Sequence, residues 1–493
     1  NKYMESINAI YTDPPYNTDA SEIMYKNGYR SSSWVSMIKD RVNRSKSLLS
    51  TDGNICVTID DVQVHELFSI LKQVFNSDNH LGTVSIKNNP SGRSTATGFS
   101  IAYEYALYFS KKFGNKIGRL ERSEEQNNRY GEKDEKGAFE WVNFRKHGGW
   151  KDDAPTMYFP IYVTENTIRI PEMEWLSDQN TYKILEDATS EETVIWPIDE
   201  QGGLRRWKWG LDRTRKSLSE MAVRLDRSKQ LGVYIKSRLN DEGILPLTVW
   251  DKSEYSSTSN GANLLKQLFK DSPFSYPKSI FAVVDSLKVL NADSNSTVLD
   301  YFAGSGTTGH AVINMNRADN GSRKYILCEM GESFDTVTKP RIQKVIYSKD
   351  WNNGKPVSRE GSSHCFKYMR LEQYEDTLNN LIVKSSMTAD NGEFYDGYML
   401  GYLLDTETKD SLFNLEWFRN PWNTKLFITR QNETKEENID LIETFNYLIG
   451  LNVETILYPK EGICTVEGVT RSGERTLVIW RNVDRIDNEA LNK

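Results

Sequence analysis

Residues 298–309 read VLDYFAGSGTTG. A strand-like apolar run leads into Gly304, Ser305, Gly306, Thr307, Thr308 and Gly309, which satisfies GxGxxG, and TTGHAVINMN continues with helical spacing. Glycines let a backbone turn tightly and approach a ligand. An acid closing the next strand can accept the hydroxyl hydrogens of a ribose. Glu329 stands in that position, after KYILC and twenty residues beyond Gly309. Strand, loop, helix and acid in this order predict a nucleoside-cofactor site on an α/β, Rossmann-like sheet. Two cofactor classes fit: a nicotinamide dinucleotide, implying an oxidoreductase, and S-adenosylmethionine, implying a methyltransferase. The loop alone does not choose between them.

The choice comes from TDPPYN at residues 12–17, preceded by the apolar run INAIY. Two prolines end the strand and hold the next residues extended. A tight turn is the bland reading of such a stretch. The chemical reading starts from the difficulty of methylating an exocyclic amine, whose lone pair is delocalised into its ring. A carboxylate accepting one N–H and a carbonyl accepting the other stabilise the charge that develops on nitrogen. Asp13 supplies the carboxylate and Pro14 a carbonyl held by the rigid Pro15. Tyr16 offers a flat face on which a base flipped out of a duplex can stack. Together with the glycine loop, this motif favours the methyltransferase.

Outward from these motifs, the first 111 residues alternate between strand and helix. INAIY, NICVTID and EYALYFS read as strands; WVSMIKDRVNRSKSLLS, stopped by STDG, and VQVHELFSILKQVF read as helices. Such alternation predicts a mostly parallel sheet with helices on its faces. The pattern dissolves over 112–260, read as an inserted module with short strands MYFPIYVT, NTIRI and TVIWPI. It returns over 261–350 with NLLKQLF, SPFSYPKSIFAVVDSLKVL and the glycine loop. Residues 351–493 read as an α+β region: helical YEDTLNNLIV and DLIETFNYLIG, strands TKLFIT, ETILY, ICTVEGV and TLVIW, and a hairpin turn at SGE.

At 493 residues, 38% hydrophobic and 27% charged, the chain is expected to be soluble and multidomain. Its four cysteines form no CxxC pair, so a cytoplasmic setting is expected, and the scattered histidines give no metal-ligand spacing. Asn1 is not a start residue, so the chain reads as trimmed. A net charge of -7 argues against a nonspecific polyanion binder, but binding depends on where positive charge sits. Between Arg205 and Arg238 there are eleven Lys or Arg against three Asp or Glu, and the segment opens RRWKW. Cations interleaved with aromatics suit a nucleic-acid surface, with Arg205, Arg206, Lys208, Arg213, Arg215 and Lys216 as candidate contacts. The competing reading is a solvated helix face from about Leu211 to Lys236.

DPPY and FAGSG together resemble the amino-methyltransferases of DNA, in the β-group order with the catalytic motif first. DPPYNT, LLSTDGNICVTIDD, YEYALYFSK, FSYPKSI, VLDYFAGSGTTGHAV and YEDTLNNL more closely resemble the Mod subunits of type III restriction–modification systems. The resemblance implies that Asp13, Pro14, Pro15 and Tyr16 are catalytic, that Phe302, Ala303, Gly304, Ser305 and Gly306 form the loop on the methionine side of S-adenosylmethionine, and that Asp300, Thr307 and Thr308 also belong to the cofactor site. It implies that Glu329 binds the ribose and that Tyr276, Pro277, Lys278 and Ser279 close over the methionine end. Asp60 and Asp61 would lie at the rim of the same sheet, or simply be a polar strand end. The implied acceptor is N6 of adenine in double-stranded DNA, although cytosine N4 is an exocyclic amine too. The implied partners are a second Mod copy and a Res subunit carrying ATPase and nuclease. Consistent with a separate motor, the sequence contains no GxxxxGK[ST] loop. Competing readings are a methyltransferase of RNA or of a protein amide, an oxidoreductase that leaves DPPY unexplained, and a noncatalytic DNA scaffold.

Overall fold

The computed structural model describes residues 2–17, 30–92, 98–225, 229–240, 242–271, 273–379, 418–430 and 433–491. They form two compact units, one comprising 1–118 with 247–493 and the other 119–246. The boundaries expected at 112 and 260 both lie outside the second unit, and residues 247–260 belong with the first.

The first unit is built on a seven-stranded sheet of β1 (Ile7–Thr12), β2 (Leu49–Ile59), β3 (His80–Ile86), β4 (Glu104–Ser110), β5 (Val249–Trp250), β6 (Thr297–Asp300) and β7 (Lys324–Leu327). Its order is β5-β3-β4-β2-β1-β6-β7. β1 runs parallel to both β2 and β6, and β6 parallel to β7, as the alternation of strand and helix predicts. The strand EYALYFS, however, is antiparallel to β2 and to β3. The sheet is therefore mixed: β3 and β4, consecutive in the chain, pair antiparallel, and the described residues between them hold no helical crossover. β3 itself, HLGTVSI, does not stand out in the sequence: it carries only two buried apolar side chains, Val84 and Ile86, too few for a clear run.

Helix α1 (Arg30–Leu48) places Trp34, Ile38 and Val42 on one buried stripe, at fourfold spacing. Helix α2 (Val64–Phe75) does the same with Leu67, Ile70, Leu71, Val74 and Phe75. Both stripes pack on Ile55, Val57 and Ile59 of β2 and Leu107 and Phe109 of β4. Each such side chain removed from water contributes roughly 1.5–3 kcal/mol. The stretch STDG does not end α1. The helix runs directly into β2, and a register shift between Ile7 and Ala9 of β1 makes Ser50–Gly53 an irregularity inside that strand. Glycine is required there, since a Cβ on Gly53 would lie 2.9 Å from the Ile7 carbonyl oxygen.

Further along, helices α3 (Asn263–Phe269), α4 (Ile280–Val289), α5 (Thr307–Asp319) and α6 (Lys339–Tyr347) follow. Leu265, Leu268, Ile313, Ile342 and Val345 form a second core that joins α3, α5 and α6. Towards the C-terminus, a helix at Leu441–Leu448 and strands Asn452–Lys460, Ile463–Val469 and Arg475–Arg481 share a core of Leu441, Leu451, Cys464, Val466 and Trp480. The SGE turn is a hairpin, with Thr470 N–H donating to the Glu474 carbonyl at 2.9 Å. YEDTLNNLIV is helical over Tyr374–Asn379, and its remainder lies outside the described residues.

The second unit carries its own core of Phe144, Phe159, Ile161, Val163, Trp207, Met221, Val233 and Ile235. Its largest sheet is antiparallel, in the order Met221–Leu225, Leu231–Arg238, Gly137–Asn143, Glu132–Asp134. No helix spans 211–236: α-helix covers Leu211–Lys216, a 3-10 turn covers Leu218–Glu220, and two paired strands follow. Alternation of Met221, Val223, Val233 and Ile235 into the core decides this. No helix among the described residues is long and apolar enough to cross a membrane.

Candidate active site

In an open α/β sheet, ligands settle at the carboxyl ends of the strands, beside the strand where the order reverses. Here that strand is β1. It lies between β2 and β6, with Ala9 opposite Val298 and Ile10 opposite Leu299. TDPPYN leaves the carboxyl end of β1 and DYFAGSG leaves the carboxyl end of β6. Parallel pairing thus brings the two sequence motifs to one edge.

On the β6 side, Asp300 is buried. Its Oδ1 accepts the Phe302 N–H at 3.1 Å and its Oδ2 the Thr308 hydroxyl at 2.5 Å. Burial pushes its carboxyl up to about 7, against the pull of those two hydrogen bonds. Gly304 and Gly306 take φ of 48° and 77°, the left-handed region that favours glycine. A Cβ on Gly304 would stand 3.1 Å from the Phe274 ring. Ala303 N–H donates to the Cys328 carbonyl at 3.0 Å, tying the loop to the end of β7. Glu329, just beyond β7, accepts the Gly304 N–H at 2.7 Å on Oε2 and the Gly331 N–H at 2.7 Å on Oε1. Each oxygen keeps a second lone pair for a hydroxyl donor. An acid held against a positive-φ glycine loop fits a ribose and the chain attached to it, so these residues suit a nucleoside cofactor.

On the β1 side, the Trp34 indole N–H donates to the Pro15 carbonyl at 2.7 Å and fixes the proline elbow to α1. Asp13 Oδ1 accepts the Thr58 hydroxyl at 2.5 Å and lies 3.0 Å from Lys278 Nζ. Lys278 also reaches Glu104 Oε2 at 2.5 Å, donates to the Tyr16 hydroxyl, and stands 4.7 Å over the Tyr16 ring. Tyr16 donates to Glu104 Oε2 at 2.9 Å, and Asn88 Nδ2 donates to the same oxygen at 2.7 Å. Burial opposes the Lys278 charge, yet the Asp13 and Glu104 carboxylates outweigh it and hold the ammonium above its ordinary range. Burial, reinforced by the same two carboxylates, pushes the Tyr16 hydroxyl well up, so it remains a neutral donor.

The YPKS segment spreads over three environments. Tyr276 is 73% exposed, Pro277 is buried, and Ser279 donates from Oγ to the Glu254 carbonyl at 2.7 Å. Only Lys278 joins the Asp13 cluster. Asp60 is buried past the end of β2 and accepts the Val62 N–H, whereas Asp61 is exposed. Among the basic candidates of the second unit, Arg205 pairs with Asp199 at 2.7 Å and lies 3.5 Å over the Trp150 ring. Arg206 donates to Met157 Sδ, and Arg215 to the Pro171 carbonyl at 2.9 Å. Lys208, Arg213 and Lys216 are exposed and form no ion pair with the described residues, while Arg213 stacks 4.6 Å from the Trp209 ring. Lys236 and Arg238 are bound to Asp134, and Arg238 also to Glu220.

No sequence motif marks Glu104, Trp34 or Thr58 as members of this site. Glu104 left a trace, as an acid opening the otherwise apolar YALYF run; Trp34 and Thr58 read simply as helix-face and strand residues.

A family model described as DNA methylase, of N6/N4 type, matches residues 7–339. The type II methyltransferase M.KpnI of Klebsiella pneumoniae is 28% identical over 351 residues, 69% of this chain and 78% of that protein. The type III restriction-modification enzyme EcoPI Mod subunit of Escherichia phage P1 is 26% identical over 455 residues, 81% of this chain and 66% of that protein. The chain thus spans about two thirds of the length of that Mod subunit. Among solved structures, TTHA0409 from Thermus thermophilus, complexed with S-adenosyl-L-methionine, matches with a TM-score of 0.31 at 12% identity, covering 69% of this chain and 89% of that one.

Proposed function

The chain belongs to the N6/N4 DNA methylase family, whose model matches it from residue 7 to residue 339, and from that premise we propose that it methylates N6 of adenine in double-stranded DNA, as the modification subunit of a type III restriction–modification system. The observation that carries the reading is the parallel pairing of β1 with β6, which sets Asp13 and the Gly304–Gly306 loop at one sheet edge. Glu329, Asp300 and the loop residues Phe302 to Thr308 would hold the cofactor, with Lys278 and its neighbours beside its reacting end. S-adenosylmethionine supplies an electrophilic methyl group when bound.

The remaining steps belong to the chain. Asp13 accepts one hydrogen of the target amine and the Pro14 carbonyl the other, and Tyr16 supports the flipped base. Because Trp34 and Thr58 fix the elbow and the carboxylate beforehand, little ordering cost remains at the transition state. Glu104 offers the Lys278 ammonium a second carboxylate when an amine hydrogen takes its place on Asp13. The exposed Lys208, Arg213 and Lys216 meet DNA phosphates. A second Mod copy and a Res subunit with ATPase and nuclease are the partners this reading brings, and type III relatives such as the EcoPI Mod subunit support it.

The test is transfer of labelled methyl from S-adenosylmethionine to unmethylated DNA, followed by nucleoside analysis. Label in N6-methyladenine is expected. Label in N4-methylcytosine would keep the chemistry and overturn the adenine and type III assignments. Unlabelled DNA with cofactor bound would overturn the DNA substrate.

A further inference from the structure

Arg341, in α6, is fully buried, with 0% of its surface exposed. A buried charge is ordinarily matched by an opposite one, because its desolvation costs several kcal/mol. Among the described residues no carboxylate forms an ion pair with Arg341. Its partners are instead the glycine loop and α5. Nη1 donates to the Ser305 carbonyl at 3.2 Å, to Ser305 Oγ at 3.0 Å and to Thr307 Oγ1 at 2.9 Å. Nε and Nη2 lie 3.3 Å from His310 Nδ1. His310 cannot supply the missing charge. Burial, with the Arg341 charge beside it, pushes the imidazole well below its ordinary range, so it is neutral. Burial also draws the guanidinium down to about 9, which leaves it charged at neutral pH.

Ser305 and Thr307 each present a hydroxyl to this cation. Each accepts from the guanidinium, and Ser305 Oγ and Thr307 Oγ1 lie 3.1 Å apart. A hydroxyl has one hydrogen to give. When one of the pair donates to the other, the second keeps a hydrogen that the cation has made more acidic and that no atom of the pair can use. A positive charge behind a hydroxyl pair, at the start of α5 with its own positive N-terminal field, is an arrangement that an anion completes.

We propose that Arg341 is a positioning residue that acts through Ser305 and Thr307 to make the glycine loop a receptor for a carboxylate, the carboxylate of the cofactor's amino-acid end. The inference rests on the S-adenosylmethionine reading of the site and adds to it the source of the loop's preference for an anion. It distinguishes Arg341 from a mere staple between α6 and the loop, because a staple would support every part of the cofactor alike.

The experiment is calorimetric titration of the purified chain with S-adenosylmethionine and with decarboxylated S-adenosylmethionine, which keeps the sulfonium and the amine and lacks only the carboxylate. Wild type is expected to prefer the carboxylated ligand by roughly tenfold or more, the scale of a hydrogen bond to a charged group. Arg341→Met is expected to bring the two affinities within about threefold, and Arg341→Lys to keep part of the preference. Should Arg341→Met fail to fold, Thr307→Val decides, with the guanidinium retained and one hydroxyl removed; it too is expected to lose most of the preference. A wild-type preference surviving in folded Arg341→Met, or in Thr307→Val where that variant decides, would overturn the proposal. So would equal wild-type affinity for both ligands, with the cofactor reading intact. Wild type binding neither ligand would overturn the cofactor reading and this proposal with it.

Discussion

Lys278 Nζ lies 3.0 Å from Asp13 Oδ1, although one residue follows the second unit in sequence and the other comes just after the first strand. The ion pair joins the two halves of the sheet unit at the point where the proposed chemistry occurs. It also means that the proposed acceptor already holds a cation, so an incoming amine competes with an ammonium for that oxygen.

Asp13→Ala is therefore expected to slow methyl transfer sharply while leaving cofactor binding within a few fold. Loss of a preorganised acceptor costs about 2.7–4 kcal/mol of barrier, roughly 10²–10³ in rate. Single-turnover methylation with a parallel cofactor titration checks it. A variant with wild-type rate would remove Asp13 from the chemistry.

Glu104→Ala strands the buried Lys278 ammonium with one carboxylate in place of two. Because Asp13 still faces the ammonium, the loss is that of one charged hydrogen bond, roughly 1.5–3 kcal/mol. Urea unfolding should show the loss, and the double variant Glu104→Gln, Lys278→Met should recover much of it. Additive losses in the double variant would mean that the two side chains are not energetically coupled.

Glu329 is expected to contribute through its carboxylate, so Glu329→Ala should weaken cofactor affinity by about 1.5–3 kcal/mol. Because Glu329 also holds the Gly304 N–H, Glu329→Gln, which keeps an acceptor oxygen, should lose less. Equal losses in both variants would point to charge alone.

Asp300 imposes a pH dependence whose sign follows from its raised pKa. The folded chain keeps this proton up to about pH 7, whereas the unfolded chain releases it near 3.8. Stability from this group is thus full below pH 4, declines as pH rises towards 7, and is level above. The slope is at most about 1.4 kcal/mol per pH unit. Asp300→Asn should flatten that decline in urea midpoints measured from pH 4.5 to 7.5. Parallel curves for the two proteins would refute it.

The basic segment divides into two groups with different expected responses. Charge reversal at Lys208 or Lys216 should weaken DNA binding and reduce its salt slope by about one for each phosphate left without its cation. Arg238→Glu should act on stability instead, because its guanidinium is already held by Asp134 and Glu220. DNA affinity that responds to Arg238 and ignores Lys208 and Lys216 would move the DNA-binding surface elsewhere.

The strand–loop–helix–acid order around Gly304 and the proline elbow after Asp13 were legible because both are local. Glycine at positive φ and proline after a strand leave their mark within a few residues, and helical periodicity in α1 and α2 declares the buried face. What sequence could not give is set by pairing between distant segments. Ladder hydrogen bonds decided that β4 runs antiparallel and that STDG lies inside a strand, and alternate burial of Met221, Val223, Val233 and Ile235 decided strand over helix. The same holds for the site. Asp13, Tyr16, Glu104 and Lys278 come from three separate stretches, and no spacing rule relates them. The sequence by itself determined which residues could perform the chemistry, since that depends on side-chain type and local backbone. Tertiary structure alone decided which of them stand together, because taking the Glu104 carboxylate and the Lys278 ammonium out of water beside the half-buried Asp13 is tolerable only when packing places them within hydrogen-bonding distance.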